Sequence, residues 1–409
     1  MINQVLKVLA LLLMIPAICT CIDPFFPRLD DYESLLVVEG LITDEKVPYE
    51  IILSRSIQNE DSDPERVTDA RVYITDETGK KVDLENHGNG SYKTNPDEFT
   101  GATGKTYTLH INTSDGNEYE STPALMLPVA GIENIYYEKG EEFNSDQSES
   151  LEGIRIYVDA EYSSESSRYL RWEYEETWKF QLADYKRFNY INEFDIRPVE
   201  EVKEYCWRHI KSSVILNGAG IKDQTNKIIK APVCFVASSA SDRLSIQYSI
   251  LVKQYSLSEE AYKFWNNLKQ VNETGGTIYD KQPFPVVSNI HNLNNQDEKV
   301  LGYFQVSAVK QERKYITVSE LDNLGIPKFR YDCNRFVVCP DDYPSSFGPP
   351  MTWDKLYNMF MDTHEFTFVE PIYNRPSNIL QKLVFVQNEC ADCELTGSTE
   401  KPDWWVEMN

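Results

Sequence analysis

The cysteines are the residues whose type and spacing most directly suggest chemistry. Two, Cys19 and Cys21, lie near the N-terminus, and six more stand at Cys206, Cys234, Cys333, Cys339, Cys390 and Cys393. Cys390-Ala391-Asp392-Cys393 has the C-x-x-C spacing used by redox and zinc sites. A thioredoxin-like site needs a βαβ setting, whereas this stretch runs into an irregular C-terminus. A zinc site would need Cys333 and Cys339 as the remaining ligands. An even set of six reads instead as structural disulfides, three in number. Six cysteines allow fifteen pairings. Proximity in the chain favours Cys206 with Cys234 and groups Cys333, Cys339, Cys390 and Cys393 into a C-terminal cluster.

Other reactive groupings are sparse. The five histidines (87, 110, 209, 291 and 364) never fall within four residues of one another, which excludes compact His-based zinc motifs. His291 sits in Asn289-Ile290-His291-Asn292-Leu293-Asn294-Asn295, followed by Asp297 and Glu298. Amide and carboxylate oxygens at this density suit a polar ligand pocket built from His291, Asn292, Asn294 and Asn295, or a calcium loop. The competing reading is a loop whose amides bond their own backbone. The sequence holds no G-x-S-x-G, Walker loop, H-E-x-x-H or EF-hand loop, so no catalytic residue, metal or cofactor is assigned.

The N-terminus addresses location. Lys7 precedes an apolar run from Val8 to Ile18, too short to span a bilayer and of the length of a secretory h-region. Cys21 follows it, as in a bacterial lipobox, where the new N-terminal cysteine carries lipid. Residues 1–20 are therefore expected to be a lipoprotein signal peptide and 21–34 a tether rich in Pro and Asp. The chain carries 65 acidic against 40 basic residues, a net charge of −25, which would be repelled by nucleic-acid backbones.

The elements that must position these residues are mainly strands. From Leu35 to about residue 128, short alternating runs are separated by turn clusters such as Asp115-Gly116. About seven strands in that span predict an immunoglobulin-like or transthyretin-like β-sandwich over 35–128. Residues 129–409 predict a larger β-rich domain with one or two inserted helices and a Cys-rich C-terminus. Within it, Leu170, Trp172, Tyr174, Trp178 and Phe180 keep period 2, opposed by Arg171, Glu173, Glu175 and Lys179. Strands are also predicted over 246–255 and 300–309, and an acidic loop over 138–152. Ser256-Leu257-Ser258-Glu259 reads as a capping box opening a helix near 257–272, with Gly275-Gly276 ending it. Its stripe of Leu257, Ala261, Phe264, Trp265, Leu268 and Val271 packs on a sheet or lines a groove. A shorter helix is predicted over 352–361, with Trp353, Leu356, Tyr357 and Phe360 as a stripe on one face that packs on a sheet or lines a groove.

Several segments together resemble a family of lipoproteins from Bacteroidota catalogued as domain of unknown function 4249. They are Cys21-Ile22-Asp23-Pro24-Phe25, Leu35 to Thr43, Ile132 to Glu138, Arg171 to Thr177, Ser258 to Asn272, Asn289 to Phe304 and Cys390 to Trp404. The resemblance implies an outer-membrane lipoprotein, often encoded beside a TonB-dependent transporter, and it carries over no catalytic residue. The expected function is a non-catalytic accessory or substrate-binding partner of such a transporter, surface-exposed on its lipid. The alternatives are a structural or adhesive envelope protein and a hydrolase using two carboxylates. A binding protein predicts a gathering of accessible aromatics. The hydrolase predicts two carboxyl groups in one cleft about 5–10 Å apart, one with a raised pKa.

Overall fold

A computed structural model describes residues 34–57, 63–144, 146, 148–221, 226–273, 286–343, 349–395 and 397–408. The signal peptide, Cys21 and Gly275-Gly276 lie outside these residues. The fold is mainly β, as its alternating sequence dictates.

Among the described residues, nine strands come first: β1 (Leu36–Ile42), β2 (Glu50–Arg55), β3 (Arg71–Asp76), β4 (Lys81–Asp83), β5 (Glu85–Asn86), β6 (Ser91–Lys93), β7 (Thr106–Asn112), β8 (Glu118–Ser121) and β9 (Ala124–Leu125). They divide between two sheets that enclose one core. Period 2 sets the inward faces: Leu36 and Val38 on β1, and Tyr107, Leu109 and Ile111 on β7, are buried. The Asp115-Gly116 signal is the turn between β7 and β8, with Gly116 at φ +90°.

The chain then builds a second β layer pair from β10 (Gly131–Phe143), β11 (Ser150–Glu161), β12 (Tyr169–Gln181), β13 (Phe188–Asn192), β14 (Asp195–Pro198), β15 (Tyr205–Lys211), β16 (Leu216–Ala219), β17 (Lys227–Ala237) and β18 (Gln247–Leu257). The acidic run over 138–152 is not mainly a loop. β10 and β11 extend through most of it as paired strands, because Lys139 and Arg155 face Glu152 and Glu142 across the hairpin at 3.3 and 2.6 Å. Helix α1 (Glu259–Glu273) starts two residues later than the capping box predicts. Ser256 and Leu257 still belong to β18, and Ser258 Oγ accepts the Ala261 amide at 3.1 Å.

Next, β19 (Ile290–Asn292) and β20 (Leu301–Val306) return to the first sandwich. β19 joins the edge of one sheet beside β8, and β20 pairs in parallel with β1 at the edge of the other. The sandwich is thus not the contiguous 35–128 that turn spacing suggests. Parallel pairing requires a long connection, and here the connection runs through the rest of the sandwich and the second layer pair. The strand predicted over 300–309 is two strands, for β21 (Val309–Thr317) leaves to pair with β18. The crossing is held by the Ser307 amide on the Ile42 carbonyl (3.0 Å) and the Val309 amide on Asp44 (2.8 Å).

Helix α2 (Val318–Asp322) leads to a C-terminal unit of β22 (Arg335–Val338), α3 (Trp353–Met361), β23 (Phe366–Asn374), β24 (Ile379–Gln387) and α4 (Asn388–Ala391). Leu356 and Phe360 of α3 are buried against this sheet, and Phe360 stacks on Phe385 at 4.4 Å. Here the aromatic stripe serves packing.

The cysteine pairing differs from the expectation. Cys206 bonds Cys393, and Cys333 bonds Cys390. Cys234 and Cys339 are free thiols, so the pairing of Cys206 with Cys234 and the count of three bridges do not hold. The C-terminal segment lies along β15, where Trp207 and Ser398 exchange backbone hydrogen bonds of 2.9 and 2.8 Å. That contact brings Cys393 to Cys206, while Cys234 sits on β17 in another sheet. Burial pushes the Cys234 thiol well above its ordinary pKa. Thiolates, not thiols, are the reactive species. Maleimide labelling of the folded protein, mapped by peptide mass spectrometry, is therefore expected to leave Cys234 unmodified until the chain is unfolded.

One carboxyl group lies on the apolar face of β12. Glu176 shares that face with Trp172, Trp178 and Phe180, and is 2% exposed. Tyr248 donates to it at 2.8 Å and Arg243 at 3.2 Å. Burial outweighs Arg243 and raises its pKa. A raised acid in the fold binds its proton more tightly than the unfolded chain does. Its stabilising contribution is present in full below the ordinary Glu range and lost as pH rises through the folded value. Glu176→Gln should leave stability unchanged in acid and raise it at neutral pH. Urea midpoints across pH check this, and a midpoint lowered at neutral pH would contradict it.

Candidate functional site

The polar candidates from sequence do not form a cavity. Asn292 is fully buried, and its Oδ1 accepts the amides of Asn294 and Asn295 at 2.8 and 3.1 Å. Its Nδ2 donates to Glu298 at 2.6 Å. Asn294 Oδ1 accepts the Glu118 amide at 2.7 Å, and Asn295 Oδ1 accepts that of Asp297 at 3.2 Å. These amides close a turn and tie it to β8, while His291 is exposed beside them on β19. Among the described residues, no group of three or more His, Cys, Asp or Glu could hold a metal ion.

The structure instead assembles a cleft of about 600 Å³ at the seam between the first sandwich and α1. Its floor is the outward face of β1, β2 and β20, supplied by Val37, Leu41, Ile52 and Tyr303. Alternation forces this arrangement: the residues between them point into the sandwich core. The roof is α1, whose Phe264, Trp265 and Leu268 reach the cleft. Phe264 packs on Tyr303 at 4.6 Å between ring centroids. The stripe on α1 thus both packs and lines a groove. Trp265 Nε1 donates to Gln305 at 2.7 Å, which fixes the indole.

Arg171 forms the back wall. It lies on the face of β12 opposite the aromatic core, and α1 covers that face. Its guanidinium stacks between Tyr255 (5.0 Å) and Trp265 (4.4 Å). Glu173 accepts from it at 2.7 Å and from the Tyr255 hydroxyl at 3.0 Å. Arg171 is 7% exposed, yet its Nε has no acceptor. A buried donor left unsatisfied costs about 1–3 kcal/mol, so an acceptor arriving in the cleft would relieve that cost. Glu39 and Glu50 complete the rim. Hydrogen bonding from Ser91, with Lys93 nearby, holds the Glu50 carboxyl below its ordinary range. Glu39 is exposed and has no side-chain partner among the described residues.

Sequence reasoning placed Arg171 and Glu173 on the charged face of a strand but gave them no role. The signal was present in their alternation with aromatics. What was missing is that a helix distant in sequence covers that charged face. A second cavity of about 650 Å³ lies beside Cys393, lined by Lys186, Lys203, His364, Asp392 and Glu394 among others. Its wall carries charges of both signs and no orphaned buried donor.

What the cleft can do is bind. It offers apolar and aromatic walls, one oriented cation and acidic groups at the mouth. Among the described residues, the carboxyl group whose pKa is raised is that of Glu176, which faces the protein core with Tyr248.

No curated protein matches this chain. A family model matches residues 22–313, which include every wall of the cleft and end before β22–β24 and both C-terminal disulfide partners. The chain belongs to the family described as Domain of unknown function (DUF4249).

Proposed function

We propose that this protein is a non-catalytic binding lipoprotein of the outer membrane that serves a TonB-dependent transporter, capturing or holding a substrate for it. The observation that carries the binding role is the seam cleft, where an unsatisfied buried guanidinium donor meets an aromatic roof. The anchoring role rests on the apolar run Val8–Ile18 and Cys21. Two disulfides suit an oxidising compartment. Among the described residues no helix is long and apolar enough to cross a membrane, so lipid on Cys21 would provide the attachment. The transporter as partner follows from the segments that resemble lipoproteins encoded beside such transporters.

Affinity capture of the full-length protein from detergent-solubilised outer membranes, followed by mass spectrometry, tests this reading. A stoichiometric TonB-dependent transporter is the expected result. Recovery of the protein alone would overturn the partnership and leave a structural or adhesive envelope role. Mass analysis of the N-terminal peptide tests the anchor, with a lipid-modified Cys21 expected.

A further inference from the structure

We infer that the seam cleft takes a hydrophobic peptide segment that is uncharged or positively charged, with a backbone carbonyl meeting Arg171. This deepens the binding role proposed above and rests on it.

The walls select an apolar guest. Val37, Leu41, Ile52 and Leu268 are aliphatic, and Phe264 and Trp265 add ring faces. Burying a Leu or Phe side chain there contributes about 1.5–3 kcal/mol. The polar groups then narrow the class. Arg171 lines the cleft and lacks an acceptor at Nε, which favours a guest that carries one. An anionic acceptor is disfavoured, because Glu39, Glu50 and Glu173 line the same cleft and the chain as a whole carries −25. A neutral carbonyl satisfies the guanidinium without that repulsion. Glu39, exposed and unpaired at the mouth, adds a site for a cation. Oligosaccharides match poorly, since they need a dense set of polar partners. Here Gln305 is already used by Trp265 and Ser307, and Glu173 by Arg171 and Tyr255. A free fatty acid fills the walls but offers Arg171 only a carboxylate. A peptide supplies apolar side chains and neutral carbonyls at regular spacing.

The cleft also bridges two units. Glu39 and Ile52 belong to the sandwich, and Arg171 and Trp265 to the second layer pair and its helix. A bound segment would therefore touch both, which is a common place for ligands.

The test uses the full chain and two pools of acetylated, amidated hexapeptides. One is randomised over Leu, Ile, Val, Phe and Lys, and the other has Glu in place of Lys. Decanoate and maltohexaose serve as comparison ligands, and bound material is quantified by mass spectrometry. We expect the Lys pool to be retained about tenfold more than the Glu pool, equivalent to roughly 1.4 kcal/mol. Glu39→Lys, an exposed change that disturbs no contact, should shrink that preference several-fold. Trp265→Ala should abolish retention of both pools, with thermal melting as the control for folding. Equal retention of both pools, no retention of either, or preference for decanoate or maltohexaose would overturn the inference. Peptide retention with no co-purifying transporter would leave it standing and remove only the partnership. A captured transporter with no peptide retention would do the reverse.

Discussion

Replacing Cys393 by Ser is expected to lower the stability of the folded chain by about 2–5 kcal/mol. Cys206 and Cys393 are 187 residues apart, with Cα atoms 6.1 Å from each other. In the chain-entropy account, cross-linking so long a loop removes more freedom from the unfolded state than a short bridge does, which places the effect near the top of the range. The local contacts are dense as well: Cys206 is fully buried and Cys393 nearly so. Their bond clamps the C-terminal segment to β15. The measurement is the urea midpoint of the variant beside that of the parent, with dithiothreitol added to the parent as a comparison in which the Cys333–Cys390 bridge is opened as well, so its midpoint should fall at least as far. Cys339→Ser serves as the control, since that thiol is already free. If Cys393→Ser and reduced parent unfolded at the parental midpoint, the bridge would not stabilise the fold in the way described.

Gly302→Ala is the second change with a large expected effect. Gly302 lies in β20 at φ +86°, where an L side chain is strained. It is paired in parallel with Val38, and a Cβ there would overlap the Val38 carbonyl group, with the carbonyl carbon only 2.8 Å away. The obstacle is backbone, so no rotamer change relieves it. Either β20 leaves β1 or the sandwich edge distorts. We expect a loss on the order of 3 kcal/mol, from strain and disrupted pairing together. Gly104→Ala separates the two causes. Gly104 has φ +83° with open space where the methyl would go, so it should cost only about 1 kcal/mol. Equal costs for the two variants would mean that the close approach to Val38 contributes nothing. Because Gly302 also lines the cleft, its variant should lose peptide retention together with stability, whereas Gly104→Ala should keep it.

These two positions share a cause that reaches the functional reading. The cleft exists because the chain leaves the first sandwich at residue 128, builds the second layer pair, and returns at β19 and β20. Its floor is contributed by strands β1 and β20, far apart in sequence, and its back wall by β12. Any disturbance of the β1–β20 pairing therefore acts on fold and site at once.

The amino-acid sequence by itself determined the elements. Alternation of Tyr107, Leu109 and Ile111 with polar residues specifies a half-buried strand, because successive side chains point to opposite faces. The same holds for the long β12. The stripe on α1 and that on α3 were legible because helical spacing places those residues on one side. The turn chemistry around Asp115-Gly116 was equally local. Tertiary structure decided the rest, and in each case the reason is a contact between distant residues. The bond from Cys206 to Cys393 depends on the C-terminal segment lying along β15, which proximity in the chain cannot reveal. Ile290 to Val306 completes the first sandwich because its sheets had open edges, a fact no local pattern records. The amide-rich run around His291 could equally serve a ligand or its own backbone, and only the position of Glu118 and Glu298 resolves it. Arg171 reads as one more charge on an exposed strand face until α1 covers it. Burial under that helix turns a solvated guanidinium into a donor in need of an acceptor, and burial is a property of the packed chain rather than of the residue.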